Sequence, residues 1–338
     1  MIELKGSRIG LALATACLIA GAGTAQNRTN GPESPDLNIV HVQVLLDRLG
    51  FAPGVIDGKG GQSLKVALRG FQKARNLPVT GEIDRPTLRI LHRYRALRPI
   101  RVLTVSPGDA AGPFSGPLPK DPAAQAALPT LGYANLLERL AEKFHTTPAT
   151  LVALNGPAAR IGPGALLRFP NVLPDSRAYD GKLPEPWRRT LSGLNVSANQ
   201  PAGARVVVDK SEGVLQVYDK ADRLVAQFPA TMGSEHDPLP IGKWTIKGAA
   251  YNPPFHYNPK LFWDVSDGKS KQLLPPGPNG PVGVIWLDLS KPHYGIHGTP
   301  NPETIGRAES HGCIRLSNWD AARLSLMVKP GTPAVFQQ

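Results

Sequence analysis

Two stretches near the end of the chain carry the residue types that could do chemistry: Tyr294-Gly-Ile-His297-Gly298-Thr and Ser310-His311-Gly312-Cys313-Ile314-Arg315. The chain has 2 cysteines, Cys17 and Cys313, so Cys313 has no thiol near it in sequence. A lone thiol with histidines nearby points to nucleophilic catalysis, because the thiolate is the reactive form and needs a base or a positive neighbour to generate it. Free cysteine is also a common core residue, and that is the structural alternative. Here Cys313 follows Ser-His-Gly, where a residue without a side chain lets backbone N–H groups approach a ligand, and this favours the reactive reading. His297 and Cys313 are too far apart in sequence to share a helix face, so a folded loop or sheet must bring them together.

A metal centre is the competing chemistry, since His293, His297, His311 and Cys313 offer nitrogen and sulfur ligands. Their spacing fits none of the common zinc patterns and no paired cysteines exist, so no metal is expected. The serine-hydrolase elbow is absent. Gly58-Lys-Gly-Gly-Gln-Ser63 has the wrong order for a phosphate loop, whose lysine follows its last glycine.

The elements that must position these residues can be read from the rest of the chain. At 338 residues there is room for two or three domains, and 35 prolines with 35 glycines predict linkers and short strands rather than a helical bundle. The formal charge of +12 favours anionic surfaces. With no recognition-helix signature or RNA-binding aromatic motif, nucleic acid is excluded as a partner. Lys5 and Arg8 precede an apolar run from Ile9 to about Ala22, which ends in small residues at Ala25. Residues 1–25 therefore read as a cleaved signal peptide, and membrane contact is expected only through this leader. Its removal leaves Cys313 as the single thiol in an oxidising compartment.

Residues 26–37 form a flexible lead-in. Over 38–95 three short helical runs are predicted, with Val40, Val44, Leu45 and Leu49 on the first, Leu64, Leu68 and Phe71 on the second, and Pro86-Thr-Leu88 opening the third. Over 101–171 a strand at Leu103-Thr-Val is followed by a Pro/Ala-rich insertion, helices near 133–144 and 151–155, and a strand at 166–170. Residues 172–203 show little periodicity and read as a linker that packs on its neighbours. From Arg205 the pattern is β: runs at 205–208, 214–218 and 224–228 are separated by turns, and strands follow at 240–246, 284–287 and 334–336. Ser317 with Asp320 starts a helix in the manner of a capping box.

On these residues the segment 204–338 resembles the L,D-transpeptidase catalytic domain of the YkuD type, whose signature is a His-Gly, a spacer, then Ser/Thr-His-Gly-Cys, an apolar residue and Arg or Asn. Segment 38–95 resembles the peptidoglycan-binding type 1 domain through Leu49-Gly50-Phe51, Ile56-Asp57-Gly58, Phe71-Gln72-Lys73 and Leu77-Pro-Val-Thr-Gly81. Segment 101–171 resembles a lysin motif (LysM) interrupted by the insertion. The expected fold is thus multidomain α+β: a three-helix N-terminal domain, a LysM-like βααβ segment and a mostly-β catalytic domain.

The resemblance implies acyl transfer without a cofactor. Cys313 would be the nucleophile and His297 the base, with the backbone of Gly298 aiding its geometry. Backbone N–H groups of Gly312 and Cys313 would receive the oxyanion. Ser310 would hydrogen-bond within the loop, and His311 would orient the loop or tune the thiolate. Arg315 would bind a substrate carboxylate and Tyr294 would line the pocket. The implied partner is peptidoglycan, through its stem peptides, with its glycan strands as a second candidate contact, in the periplasm or cell envelope. Two alternatives stand beside wall cross-linking: a same-family enzyme that attaches an envelope protein or hydrolyses wall bonds, and a non-catalytic wall-binding scaffold. If the N-terminal modules are merely tethered, a chain starting near Pro201 should keep the chemistry and lose wall binding.

Overall fold

The computed structural model describes residues 34–259, 270–307 and 312–338. The leader, Cys17 and most of the lead-in lie outside the described residues, as do Ser310 and His311.

Three helices form first: α1 (Leu37–Arg48), α2 (Gln62–Ala74) and α3 (Arg85–Leu91). Asp36 caps α1 through the Asn38 N–H, and Asp84 caps α3 through the Thr87 N–H, with Pro86 in the first turn. The quoted motif residues hold the turns between them. Buried Gln43 accepts from the N–H groups of Asp57 and Gly58 and donates to Asp57 Oδ1. Buried Gln72 donates to Thr80 and Thr87 and accepts from the Gly81 N–H.

Two strands follow, β1 (Ile100–Thr104) and β2 (Leu166–Pro170), paired antiparallel. Between them lie short helices α4 (Pro107–Ala110) and α5 (Pro122–Ala126), then α6 (Leu136–Lys143) and α7 (Pro148–Asn155). The two expected helices and the two strands are there, with two further short helices in the Pro/Ala-rich insertion, and the end of that insertion has a partner. Leu131 N–H donates to Pro276 O at 3.0 Å and Asn279 N–H donates to Leu131 O at 3.0 Å. The insertion therefore clamps the Pro-rich loop at 275–283, which leads towards the chemistry-bearing strands.

The expected linker contains a helix, α8 (Glu185–Gly193), whose Trp187 and Leu191 are fully buried. They pack with Val206, Phe228, Ile285 and Trp319 in the core of the C-terminal part. This is a correction to the linker reading. The helix starts at Glu185-Pro-Trp and is only nine residues long, too short to display a clear 3.6-residue period.

The C-terminal part is built from β3 (Arg205–Asp209), β4 (Val214–Tyr218), β5 (Leu224–Pro229), β6 (Thr231–Met232), β7 (Gly242–Tyr251), β8 (Phe255–Tyr257), β9 (Gln272–Leu274), β10 (Ile285–Leu289), β11 (Gly295–His297), β12 (Ile314–Arg315), α9 (Asn318–Met327) and β13 (Pro333–Gln337). Nine of the strands form one sheet in the order β5-β4-β3-β13-β7-β10-β11-β12-β6. The first part of β7 pairs with β13 and the rest with β10, so this one strand joins the two halves of the sheet. α9 starts at Ser317, whose side chain accepts from the Asp320 N–H, and packs its apolar residues against the same core.

The three-helix domain is not a tethered module. Val207, Tyr218 and Leu224 of the sheet are buried in one cluster with Leu45, Leu46, Phe51, Leu68 and Phe71. Backbone bonds join Ala52 to Gln227 and Gln227 to Gly50, both at 2.9 Å, and Gln227 Nε2 donates to Val66 O at 2.8 Å. Gly70 of α2 is where helix meets sheet: a Cβ there would lie 2.4 Å from the Gln227 side chain. Arg323 of α9 donates to Asp47 O at 2.9 Å, while Asp47 also bonds His145 at 3.2 Å; all three side chains are buried. Residues 34–338 accordingly cluster as one compact unit, against the expectation of separable parts.

Candidate active site

The site is assembled by two short strands. β11 runs parallel to β12 with Ile296 opposite Ile314 and His297 opposite Arg315. Strand side chains alternate between faces, so Ile296 and Ile314 point one way and His297 and Arg315 the other. Both isoleucines are fully buried in the core, which fixes the register, because a one-residue slip would drive His297 and Arg315 into it. Cys313 immediately precedes β12, two residues before Arg315, and its thiol takes a backbone hydrogen bond at Gly295 of β11, the strand that carries His297.

His297 is held in one orientation and one tautomer. Its Nδ1 lies 2.7 Å from Gly298 O, and since a carbonyl only accepts, Nδ1 carries the proton and Nε2 is left as a base. Its ring stacks on Trp286, the residue opposite it on β10, with centroids 5.5 Å apart. At 4% exposure the ring is desolvated, which brings its pKa down to about 4, and Arg315 pushes in the same direction. The imidazole is thus neutral at neutral pH.

Cys313 is half-buried, and its Sγ lies 3.9 Å from His293 O. Burial raises the thiol pKa and Asp237 adds to this, whereas a backbone hydrogen bond at Gly295 and the Arg315 charge oppose it. A thiol so placed is protonated at neutral pH and needs a base to become a nucleophile.

Two glycines are required by close approach. Gly312 has φ +91°, and a Cβ there would lie 2.8 Å from the Tyr294 ring, so Tyr294 roofs the backbone just before Cys313. At Gly295 a Cβ would lie 2.4 Å from Trp286. Lys291 lies 5.5 Å from the ring centroids of both Tyr294 and Trp244.

Of the expected site residues, the structure brings together His297, Gly298, Gly312, Cys313, Arg315 and Tyr294; Ser310 and His311 lie outside the described residues. Sequence reasoning missed four neighbours. Trp286 was read only as a strand residue. Asp237 sits in the β6–β7 loop, with no motif to mark it. Asn318 was hidden in the helix start: its side-chain oxygen accepts from the Val284 N–H at 3.1 Å, and a Cβ on Gly298 would lie 2.0 Å from it. Glu142 of α6, which receives the Asn318 Nδ2 bond at 2.6 Å, was read only as part of a helical run. Burial raises its pKa to about 7. Among the described residues no group of three or more potential metal ligands occurs. No helix among them is long and apolar enough to cross a membrane.

Comparison with known proteins matches two parts of the chain to family models. Residues 203–336 match the model described as "L,D-transpeptidase catalytic domain" (YkuD), and residues 36–91 match that described as "Putative peptidoglycan binding domain". Neither match extends to the segment expected as LysM-like. A curated relative from Bacillus licheniformis, "Putative L,D-transpeptidase YkuD", is 36% identical over 128 residues, covering 38% of this chain and 62% of the relative. "Probable L,D-transpeptidase YbiS" of Escherichia coli K12 is 30% identical over 137 residues, covering 39% of this chain and 44% of the relative. The chain spans less than two thirds of the length of each. A solved L,D-transpeptidase from Mycobacterium smegmatis aligns at 23% identity and a TM-score of 0.33, covering 40% of this chain and 59% of the other. The C-terminal part of this chain, residues 203–336, is an L,D-transpeptidase catalytic domain of the YkuD type, on one chain with a peptidoglycan-binding domain at residues 36–91.

Proposed function

We propose that the protein is a peptidoglycan L,D-transpeptidase acting outside the cytoplasm, in the periplasm, with Cys313 as nucleophile and His297 as base. The observation that carries this is the parallel β11–β12 register, which sets Cys313, just before β12, beside the strand bearing His297, whose Nδ1 proton is committed to Gly298 O. Nε2 of His297 takes the thiol proton. The thiolate attacks the carbonyl at the L-centre of diaminopimelate in a wall tetrapeptide, and the C–S bond forms. The C–N bond to the terminal D-alanine breaks, and His297 returns the proton to the departing amine. An amine of a second stem then attacks the thioester: a C–N bond forms, the C–S bond breaks, and the thiol is restored by the proton from the amine.

A neutral buried imidazole beside a protonated thiol suits this order, because the proton moves only when substrate excludes water and the oxyanion is received by the N–H groups of Gly312 and Cys313. Arg315 offers its guanidinium to a substrate carboxylate, and Tyr294 lines the pocket. Ser310 braces the Cys313 loop, and His311 orients it or tunes the thiolate. Segment 101–171 acts as a LysM-like element, which its βααβ order supports, and residues 1–25 serve as the signal peptide.

Incubating the purified protein with a defined disaccharide tetrapeptide and reading products by mass spectrometry tests this. Release of D-alanine with a cross-linked dimer is expected. Peptide left uncleaved by protein that is folded would overturn the reading, and cleavage without dimer would assign water or a protein amine as the acceptor.

A further inference from the structure

We propose that the carboxylate of Asp237 is the counter-ion for a primary ammonium group of the wall peptide, and so sets which peptides the thiol site accepts. The inference deepens the acyl-transfer reading above and rests on it.

Asp237 lies in the loop that joins β6 to β7. β6 is hydrogen-bonded to β12 at the end of the sheet, with Met232 opposite Ile314, so the chain leaving β6 begins beside the strand that follows Cys313. A tight turn then fixes the aspartate. Gly233 has φ +63°, and a Cβ on it would lie 2.5 Å from the backbone nitrogen of Leu239. Ser234 N–H donates to Asp237 O, and Asp237 N–H donates to Ser234 Oγ, both at 2.9 Å. The backbone of Asp237 is thus satisfied while one side-chain oxygen is not: in a residue that is partly buried, Oδ2 is itself buried and accepts no hydrogen bond from any described residue.

A buried carboxylate oxygen without a donor is costly and calls for a cation or a donor from elsewhere. Its surroundings say where that cation would sit. The Asp237 charge reaches both the Cys313 thiol and the Tyr294 hydroxyl and makes each harder to ionise. In the free protein this works against a nucleophile that must become a thiolate. The conflict disappears when a cation binds beside Asp237, because the paired carboxylate no longer opposes the thiolate. Arg315 acts on the same thiol with the opposite sign. The thiol therefore has a carboxylate and a guanidinium within electrostatic reach, a pair complementary to a substrate group bearing both an ammonium and a carboxylate. The side-chain end of diaminopimelate is such a group, present on both the donor and the acceptor stem.

The test uses full-length protein, wild-type and Asp237→Asn, which keeps shape and removes charge. A penem with an uncharged side chain, read by intact mass as one addition per chain, shows that the Cys313 site is formed in each. Thioester formation is then measured with two tetrapeptides, one with the side-chain amine free and one with it acetylated. The preformed thioester is next offered a free-amine stem, and transfer is compared with hydrolysis. A charge-assisted contact predicts that wild-type protein prefers the ammonium-bearing peptide by roughly ten- to a hundredfold. In Asp237→Asn the preference should fall close to one, and Asp237→Glu should restore part of it. A loss confined to thioester formation assigns the donor ammonium, and a loss confined to transfer assigns the acceptor ammonium. A preference kept intact on both steps by Asp237→Asn would overturn this proposal alone. Wild-type protein that accepts penem but forms no thioester with either peptide would overturn the acyl-transfer reading and this proposal with it.

Discussion

A chain beginning at Pro201 should fail to fold stably, although residues 203–336 contain every residue assigned to the chemistry. The cut removes Trp187 and Leu191, both fully buried in the catalytic core, together with Leu194 and Val196. Emptying the site of one buried tryptophan costs about 3–5 kcal/mol. The cut also strips the helices that cover Val207, Tyr218 and Leu224, leaving an apolar patch on the sheet in water. Arg323 loses its bond to Asp47 O and its ion pair with Asp47. Losing one partner of a buried ion pair costs about 3–5 kcal/mol, though water reaching the newly opened surface softens this. The first loss alone is a large part of the roughly 5–15 kcal/mol that holds a domain together. Full-length and truncated proteins should be compared by thermal melting in circular dichroism and by penem acylation at Cys313. The expected result is no cooperative transition and little acylation in the truncated chain, with Trp187→Ala in the full-length chain intermediate. A truncated chain that melts within a few degrees of the full-length protein and acylates at the same rate would show that residues 201–338 fold without these contacts.

Asn318→Ala should lower turnover more than it raises KM, because it removes the wedge behind Gly298, whose carbonyl orients His297; Asn318→Asp, which keeps the side-chain oxygen, should recover part. Its stability cost should be about 1–3 kcal/mol for the buried Val284 N–H left without an acceptor, read by urea titration, whereas Glu142 keeps its hydrogen bond with Tyr133. His297 is neutral in the folded protein down to about pH 4 but protonates near 6.5 when unfolded. Its contribution to stability is therefore intact above pH 6.5 and is lost as pH falls towards 4, by an amount on the order of 3 kcal/mol. Asp320 and Glu142, whose pKa values burial raises to about 6 and 7, act in the opposite sense. The His297 effect must accordingly be read as a difference, with His297→Gln losing less stability than wild type over that window. Iodoacetamide alkylation of Cys313 should keep rising beyond pH 9, since burial raises this thiol; a plateau near pH 7 would contradict that.

The chemistry was legible because it is written in contiguous motifs. His297-Gly298 and Gly312-Cys313 each need a residue without a side chain beside a reactive one, and the structure shows what those glycines make room for: the Asn318 amide and the Tyr294 ring. The helices of 38–95 were legible from apolar spacing, and Phe71-Gln72-Lys73 from its motif, but the four bonds by which Gln72 holds the 80–87 turn belong to the fold. What could not be read is what joins distant segments. Asp47, His145 and Arg323 are each ordinary charged or polar residues in sequence, and only the fold makes them one buried cluster. Leu131 is one apolar residue in a Pro/Ala-rich run, yet it takes both backbone bonds from the loop at 275–283. Trp187 lies in a proline-flanked stretch that reads as linker, because a nine-residue helix with two inward residues leaves almost no periodic trace. The separability of the N-terminal half was inferred from modular resemblance, and it fails on contacts such as Gly70 against Gln227 that no single segment displays.

The proposed reaction carries a wall tetrapeptide as a thioester on Cys313. Intact mass spectrometry of full-length protein mixed with a disaccharide tetrapeptide, quenched in acid and followed by peptide mapping, tests it directly. The expected product is an adduct of the peptide minus its terminal D-alanine, located on Cys313 and absent from Cys313→Ala. An adduct mapped to another residue, or one that persists in Cys313→Ala, would contradict it.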